Sequence, residues 1–242
     1  MIRVFIGTEA SQYIPQKVLE YSIHANTRQE VECRAITQDI ARVGGTRFGF
    51  VRFQIPRLCD FTGRAIYLDA DQLVLADIAK LNRVLDGKDK AIALVDDPLG
   101  YFGNRPVPKH LHTSVMVLDC SRLKHWDGDK MFSNVIPNKS ERQPGQIHYR
   151  DFMNLVWEDR DTIQSLDPRW NHFNIIRRDT RLIHFSHVVS QPWKRPRHPL
   201  SRFWGHWLRK AIKAGYVSRW RLVLEVFRRH IHPVYLIYAI AP

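Results

Sequence analysis

Asp69-Ala70-Asp71 follows directly on the apolar run Ala65-Ile-Tyr-Leu68. In extended chain, residues i and i+2 point to one side, so the two carboxylates lie together with Ala70 turned away. Like charges that close repel unless a cation or a shared proton sits between them. A hard divalent ion, Mn²⁺ or Mg²⁺, bound by these oxygens and by a substrate diphosphate meets that need. The plain alternative is that one Asp caps the following helix, a role Asp77 could also fill. A second constellation lies more than a hundred residues on, at Leu182-Ile-His184 and Gln191-Pro-Trp-Lys194. His184 ends an apolar run; as a ligand it would complete a mixed nitrogen and oxygen set suited to Mn²⁺, and as structure it would simply be hydrogen-bonded. Pro192-Trp193 would form an apolar wall or part of the core, and Lys194 is long enough to reach a phosphate.

The elements around these residues alternate. Arg3–Gly7 reads as a strand, and a helix follows from Pro15 with Val18, Leu19, Ser22 and Ile23 on one face. Val31–Ile36 is a second strand, Gly44-Gly45 a break, and Arg64–Leu68, Ala91–Val95 and Ser114–Leu118 are further strands. Near-continuous apolar runs separated by helical stretches predict an α/β fold with a mainly parallel sheet covered on both faces. Such sheets place their sites beyond the carboxyl ends of the strands. Asp69, Asp71, Asp96 and Asp97 all fall at such ends.

Composition bounds the rest. At 242 residues, 44% hydrophobic and 25% charged, the chain has the make-up of a folded globular protein. Three scattered cysteines, Cys33, Cys59 and Cys120, suit neither a disulfide framework nor a zinc ribbon and point to a reducing, cytoplasmic setting. No run reaches the length needed to cross a bilayer, and Met1–Gly7 reads as a strand rather than a leader. The net charge of +13 is unevenly spread: from Lys194 to Pro242 there are eleven basic residues against Glu225 alone, a local +10 that leaves +3 for the remainder. Residues 1–193 are therefore expected to form the catalytic domain and 194–242 a basic helical tail. Phe203, Trp207 and Ile212, interleaved with Arg202, Arg209, Lys210 and Lys213, suit attachment to an anionic membrane surface at the inner face of the cell membrane. Packing of those aromatics on the body is the alternative. No helix-turn-helix, RNP or KH signature accompanies the charge, which argues against nucleic acid.

In the order Val4-Phe-Ile-Gly-Thr8 with Tyr13, Phe50-Val-Arg52-Phe-Gln-Ile-Pro56, Ala65 to Asp71, Ser114 to Asp119, Arg169-Trp-Asn171 and His184 to Trp193, the chain resembles bacterial glycosyltransferases of family 8. The resemblance implies a GT-A fold and Mn²⁺-dependent transfer of a sugar from a nucleotide donor, usually UDP-linked, to a hydroxyl of a glycan or lipid-linked acceptor, with retention at the anomeric carbon. It implies Asp69, Asp71 and His184 as metal ligands. It places Thr8 and Tyr13 against uracil and ribose and Arg52 beside the donor phosphates, and it sets Ala70 and Lys194 among the nucleotide-binding positions.

The pattern also departs from the family. Tyr149 and Arg150 stand where an acid-Gln pair precedes Asn154, which leaves Asp151 as the catalytic candidate beside Arg52. His187 replaces a Gly, one residue is inserted, and Gln191 replaces a Lys, with Lys194 as the substitute phosphate contact; His112-Thr-Ser114 replaces Asn-Ala/Ser-Gly. Two other readings are a sugar nucleotidyltransferase, whose Gly-rich loop is absent after the first strand, and an inactive nucleotide-sugar or glycan-binding protein.

Overall fold

The five expected strands join one the sequence did not announce, Ile163–Ser165, in a single sheet. A computed structural model describes residues 1–37, 49–96, 101–102, 105–106, 111–126 and 128–240. The Gly44-Gly45 break and Asp97 lie outside them. The strands of the main sheet are β1 (Ile2–Gly7), β2 (Val31–Ile36), β3 (Arg64–Asp69), β5 (Ile92–Val95), β6 (His112–Asp119) and β7 (Ile163–Ser165), in the order β7-β5-β6-β3-β1-β2. Pairs β1–β2, β1–β3 and β5–β7 are parallel, whereas β6 runs antiparallel to both β3 and β5. The sheet is thus mainly parallel with one reversed strand in its middle. Reversal brings the start of β6, His112 to Ser114, to the carboxyl end of β3.

Both faces are covered, which explains the unbroken apolar runs. Ile66, Leu68, Val115 and Val117 pack on one side with Leu19 and Ile23, while Ala65, Tyr67, Met116 and Leu118 pack on the other with Phe53, Trp126 and Phe152. Helix α1 (Tyr13–Ala25) buries Ile14, Val18, Leu19, Ser22 and Ile23, close to the face expected. Its Ser22 hydroxyl accepts from the backbone of Val74, in β4 (Gln72–Val74), at 3.0 Å. β4 belongs to a second, three-stranded sheet with β9 (Leu182–His184) and β8 (His172–Phe173).

Helix α3 (Ser201–Lys213) buries Trp204, Leu208 and Ala211 in a core shared with Ile14 and Val18 of α1. Its partly buried residues Phe203, Trp207 and Ile212 pack on the same cluster, with the Trp207 ring 6.0 Å from Tyr21. The α3 aromatics thus meet protein. Helix α4 (Arg219–Phe227) instead exposes Trp220 at 76% and Phe227 at 80%. Glu225, the tail's one acid, is buried and meets Arg221 at 2.9 Å, Arg228 at 3.1 Å and His230 at 2.6 Å. No helix among the described residues is long and apolar enough to cross a membrane.

Candidate metal and donor site

The chain leaves β3 at Asp69, turns through Ala70 and Asp71, and re-enters as β4. Backbone bonds pin that turn: Ala70 N–H donates to Gly7 O at 3.0 Å and Phe185 N–H to Asp71 O at 2.9 Å. The second bond delivers His184, the last residue of β9, to the aspartates. Ligand atoms of Asp69, Asp71 and His184 all lie within 4.8 Å of one another, and all three residues are buried. The helix-cap alternative is excluded, because Asp77 caps Ile78–Asn82 by accepting from Ala79 N–H at 2.9 Å.

Burial pushes the Asp69 carboxyl up; the Arg52 guanidinium pulls it back, and the like charge of Asp71 adds to the rise. Arg52 sits in the turn Val51–Gln54 and is itself buried. Its Nη2 donates to Asp69 Oδ1 at 3.1 Å, and its Nη1 donates to Thr113 O at 2.6 Å and Thr113 Oγ1 at 3.0 Å. Tyr67, whose ring lies 4.6 Å from the guanidinium carbon, donates its hydroxyl to the same Asp69 oxygen at 2.5 Å. Asp69 Oδ1 is therefore saturated. Its other oxygen, Oδ2, is 4.0 Å from His184 Nε2.

A hydrogen-bond chain fixes the imidazole. Asn171 donates through Nδ2 to Ser114 Oγ at 3.1 Å, which turns its Oδ1 toward His184 Nδ1 at 3.2 Å. An amide oxygen only accepts, so Nδ1 carries the hydrogen and Nε2 of the neutral ring presents a lone pair. That lone pair faces Asp71 Oδ1 at 3.2 Å, and Oδ1 has no hydrogen-bond partner among the described residues. Two lone pairs at that distance repel, so the pair calls for a proton or a cation. Gln191 Nε2 holds the other carboxylate oxygen, Oδ2, at 2.9 Å. The donor set, its burial and its oriented imidazole fit a divalent ion with mixed ligands.

The remaining expected residues have their own surroundings. Thr8 is buried just past the end of β1. Tyr13 opens α1, and the Arg221 guanidinium from α4 lies 4.3 Å from its ring centre. Lys194 donates to Val188 O at 3.1 Å; burial lowers its pKa, while Asp71 and Glu9 oppose that effect. Trp193 is fully buried, its ring 5.3 Å from Trp204, so it is core. Asp96 accepts from Ser165 Oγ at 2.8 Å and braces β5 against β7.

A cavity of about 390 Å³ opens beside the cluster, with Arg52, Ser114 and His184 in its wall. The short helix α2 (Tyr149–Met153) also supplies Tyr149 and Arg150 to its lining. Asp151 is not in that lining; its carboxylate lies 3.9 Å from His148.

The family model for glycosyl transferase family 8 matches residues 9–196, more than three quarters of the chain. The chain belongs to that family. This family 8 glycosyltransferase is 25% identical over 217 residues to Protein CDI of Arabidopsis thaliana, covering 79% of each chain. Among solved structures it superposes on the apo form of the bifunctional glycosyltransferase WbbM with a TM-score of 0.62 at 13% identity, covering 94% of this chain and 51% of that one. It spans, then, about half the WbbM chain. It also superposes on the galactosyltransferase LgtC, solved with donor and acceptor sugar analogs, with a TM-score of 0.57 at 11% identity, covering 86% of this chain and 95% of LgtC. At such identities the structural likeness is one of fold, and the fold is GT-A.

Sequence reasoning missed five residues of this glycosyltransferase that build the site without being candidates for it: Tyr67, Thr113, Ser114, Asn171 and Gln191. Tyr67 carries a signal, since residue i−2 of Asp69 in a strand shares its side of the sheet. Gln191 stands out only as a departure from the family pattern.

Proposed function

We propose that this family 8 glycosyltransferase moves a sugar from a UDP-linked donor to a hydroxyl of a glycan or lipid-linked acceptor, with retention at the anomeric carbon. The observation that carries the reading is the buried cluster of Asp69, Asp71 and His184, in which Asp71 Oδ1 lies 3.2 Å from His184 Nε2 and has no hydrogen-bond partner among the described residues. Asp69, Asp71 and His184 would hold Mn²⁺ or Mg²⁺, which when bound supplies Lewis-acid assistance to the departing diphosphate. The protein's own part is positioning and charge. Arg52 opposes the burial that pushes the Asp69 carboxyl up, and its Nε, buried with no acceptor among the described residues, is a donor left over for a phosphate oxygen. Thr8, Tyr13 and Ala70 would line the nucleoside side, with Lys194 on the diphosphate. Of the two catalytic candidates, Arg52 touches the Asp69 carboxylate, whereas Asp151 would have to leave His148 to approach the sugar.

The proposal extends to an anionic membrane surface met by α4. Exposed Trp220 and Phe227 are seven residues apart, two helical turns on one face, with Arg219, Arg228 and Arg229 close by. Aromatic rings among arginines suit the headgroup region.

The test is calorimetric titration of UDP into the purified protein with and without Mn²⁺, in the native chain and in Asp71→Asn. Metal-dependent binding that disappears in the variant supports the donor site. Absence of UDP binding under both conditions overturns it.

A further inference from the structure

The cavity beside the metal centre has an uneven charge. Its lining includes two arginines, Arg52 and Arg150, and none of its described lining residues is acidic. The carboxylates of Asp69 and Asp71 belong to the metal side, and Nη1 and Nη2 of Arg52 are engaged by Thr113 and Asp69. Arg150 is different. It is exposed, and no described carboxylate forms an ion pair with its guanidinium. Its backbone is fixed, since Asn138 Oδ1, in the same cavity wall, accepts from Arg150 N–H at 2.8 Å. A cation anchored at its root and unpaired at its tip is arranged to meet an anion from solution. A guanidinium meets carboxylate and phosphate best, through paired N–H donors.

We propose that Arg150 is a specificity-determining residue that receives an anionic group, carboxylate or phosphate, carried by one of the two sugars that meet in this cavity. The inference rests on the donor reading of the site and deepens it. It gives the substrate a charge. The anion comes either from the donor sugar or from the acceptor, and the setting is common to both: His184 of the metal cluster and Arg150 line the same cavity, in which the sugars would meet.

The experiment uses the full chain with Mn²⁺ and compares charged and neutral probes in two arms, in the native protein and in Arg150→Gln. In the donor arm, UDP-glucuronate is titrated against UDP-glucose, and UDP-galacturonate against UDP-galactose. In the acceptor arm, protein saturated with UDP is titrated with methyl glucuronide, or with methyl glucoside phosphorylated on its primary hydroxyl, against plain methyl glucoside. The expected result is that one arm favours the charged probe by about tenfold or more, the worth of one charge-assisted hydrogen-bonded pair. In Arg150→Gln that preference collapses while affinity for UDP alone is unchanged. The responding arm names the source of the anion. Equal affinity for charged and neutral probes in both arms overturns the inference, as does a preference that survives in Arg150→Gln. Weakened binding of UDP itself in Arg150→Gln also overturns it, since Arg150 would then serve the diphosphate. If UDP fails to bind the native chain, the donor reading falls and this inference with it; if UDP binds and no charge preference follows, this inference alone falls.

Discussion

Gln191 reaches across 120 residues of sequence to donate its amide to Asp71 Oδ2 at 2.9 Å, while the same nitrogen also bonds Phe185 O at 3.1 Å. The amide thereby sets the rotation of a carboxylate whose other oxygen faces His184. Gln191→Leu removes that hold, and an oriented ligand set of this kind loses about 10- to 100-fold in metal affinity when a supporting hydrogen bond goes. Mn²⁺ titration of the two proteins measures the loss directly, and equal affinities would show that Asp71 needs no such brace.

Arg52 and Asp69 form a buried ion pair, with side-chain exposures of 5% and 12%. Removing one partner strands the other charge, at a cost of about 3–5 kcal/mol. Arg52→Met is expected to destabilise the metal-free protein by that order, and adding Asp69→Asn should return part of it, because the stranded charge is then gone. Denaturant unfolding of the two single variants and the double variant closes the cycle. Additive losses would mean that the pair is not coupled.

Asp167 accepts from Arg169 and is held below its ordinary value of 3.8, chiefly by that side-chain hydrogen bond, with burial opposing. It also caps the turn Pro168–Trp170 that presents Asn171 to His184. A depressed folded value stabilises the protein above the unfolded value and is lost as pH falls through the folded one. Asp167→Asn should therefore be less stable than the native chain near neutrality, and the two should converge in acid below the folded value. Melting temperatures across that acid range decide it; a gap that persists at the lowest pH assigns the effect to something other than ionisation.

The two aromatic faces of the tail separate cleanly by substitution. Trp204 is 1% exposed, so Trp204→Ala should destabilise the fold by about 3–5 kcal/mol. Trp220→Ser with Phe227→Ser should leave stability nearly untouched and weaken sedimentation with vesicles containing phosphatidylserine. Undiminished vesicle binding in that double variant would remove α4 from the membrane reading.

What could be read in advance follows what local chemistry specifies. Leu68 running into Asp69 announces a strand with carboxylates at its end, because period and residue type are local properties. The direction of β6 is not local: an apolar run such as Val115 to Leu118 reads the same either way, and so Thr113 and Ser114 were invisible as neighbours of Arg52 and Asn171. The tail shows the same limit. Phe203 and Trp207 sit at helical spacing on an amphipathic surface, and that surface looks alike in sequence whether it meets lipid or, as here, Tyr21 and the core. Gln191 draws attention only as an unexpected amide; its meaning lies in Asp71, to which nothing in the intervening chain points.

The Arg221 guanidinium over the Tyr13 ring joins the last part of the chain to the first helix beside the donor site. Glu225 clamps that arginine from behind at 2.9 Å, so Arg221 moves with α4 as a unit. If contact with a charged surface shifts Arg221 of α4, the Tyr13 ring beneath that guanidinium meets the shift. Occupation of the two places is then thermodynamically linked, and linkage runs both ways with one and the same factor. Were a surface at α4 to tighten binding at Tyr13, the ligand-loaded protein would grip that surface more tightly by the same factor; were it to loosen binding, less tightly.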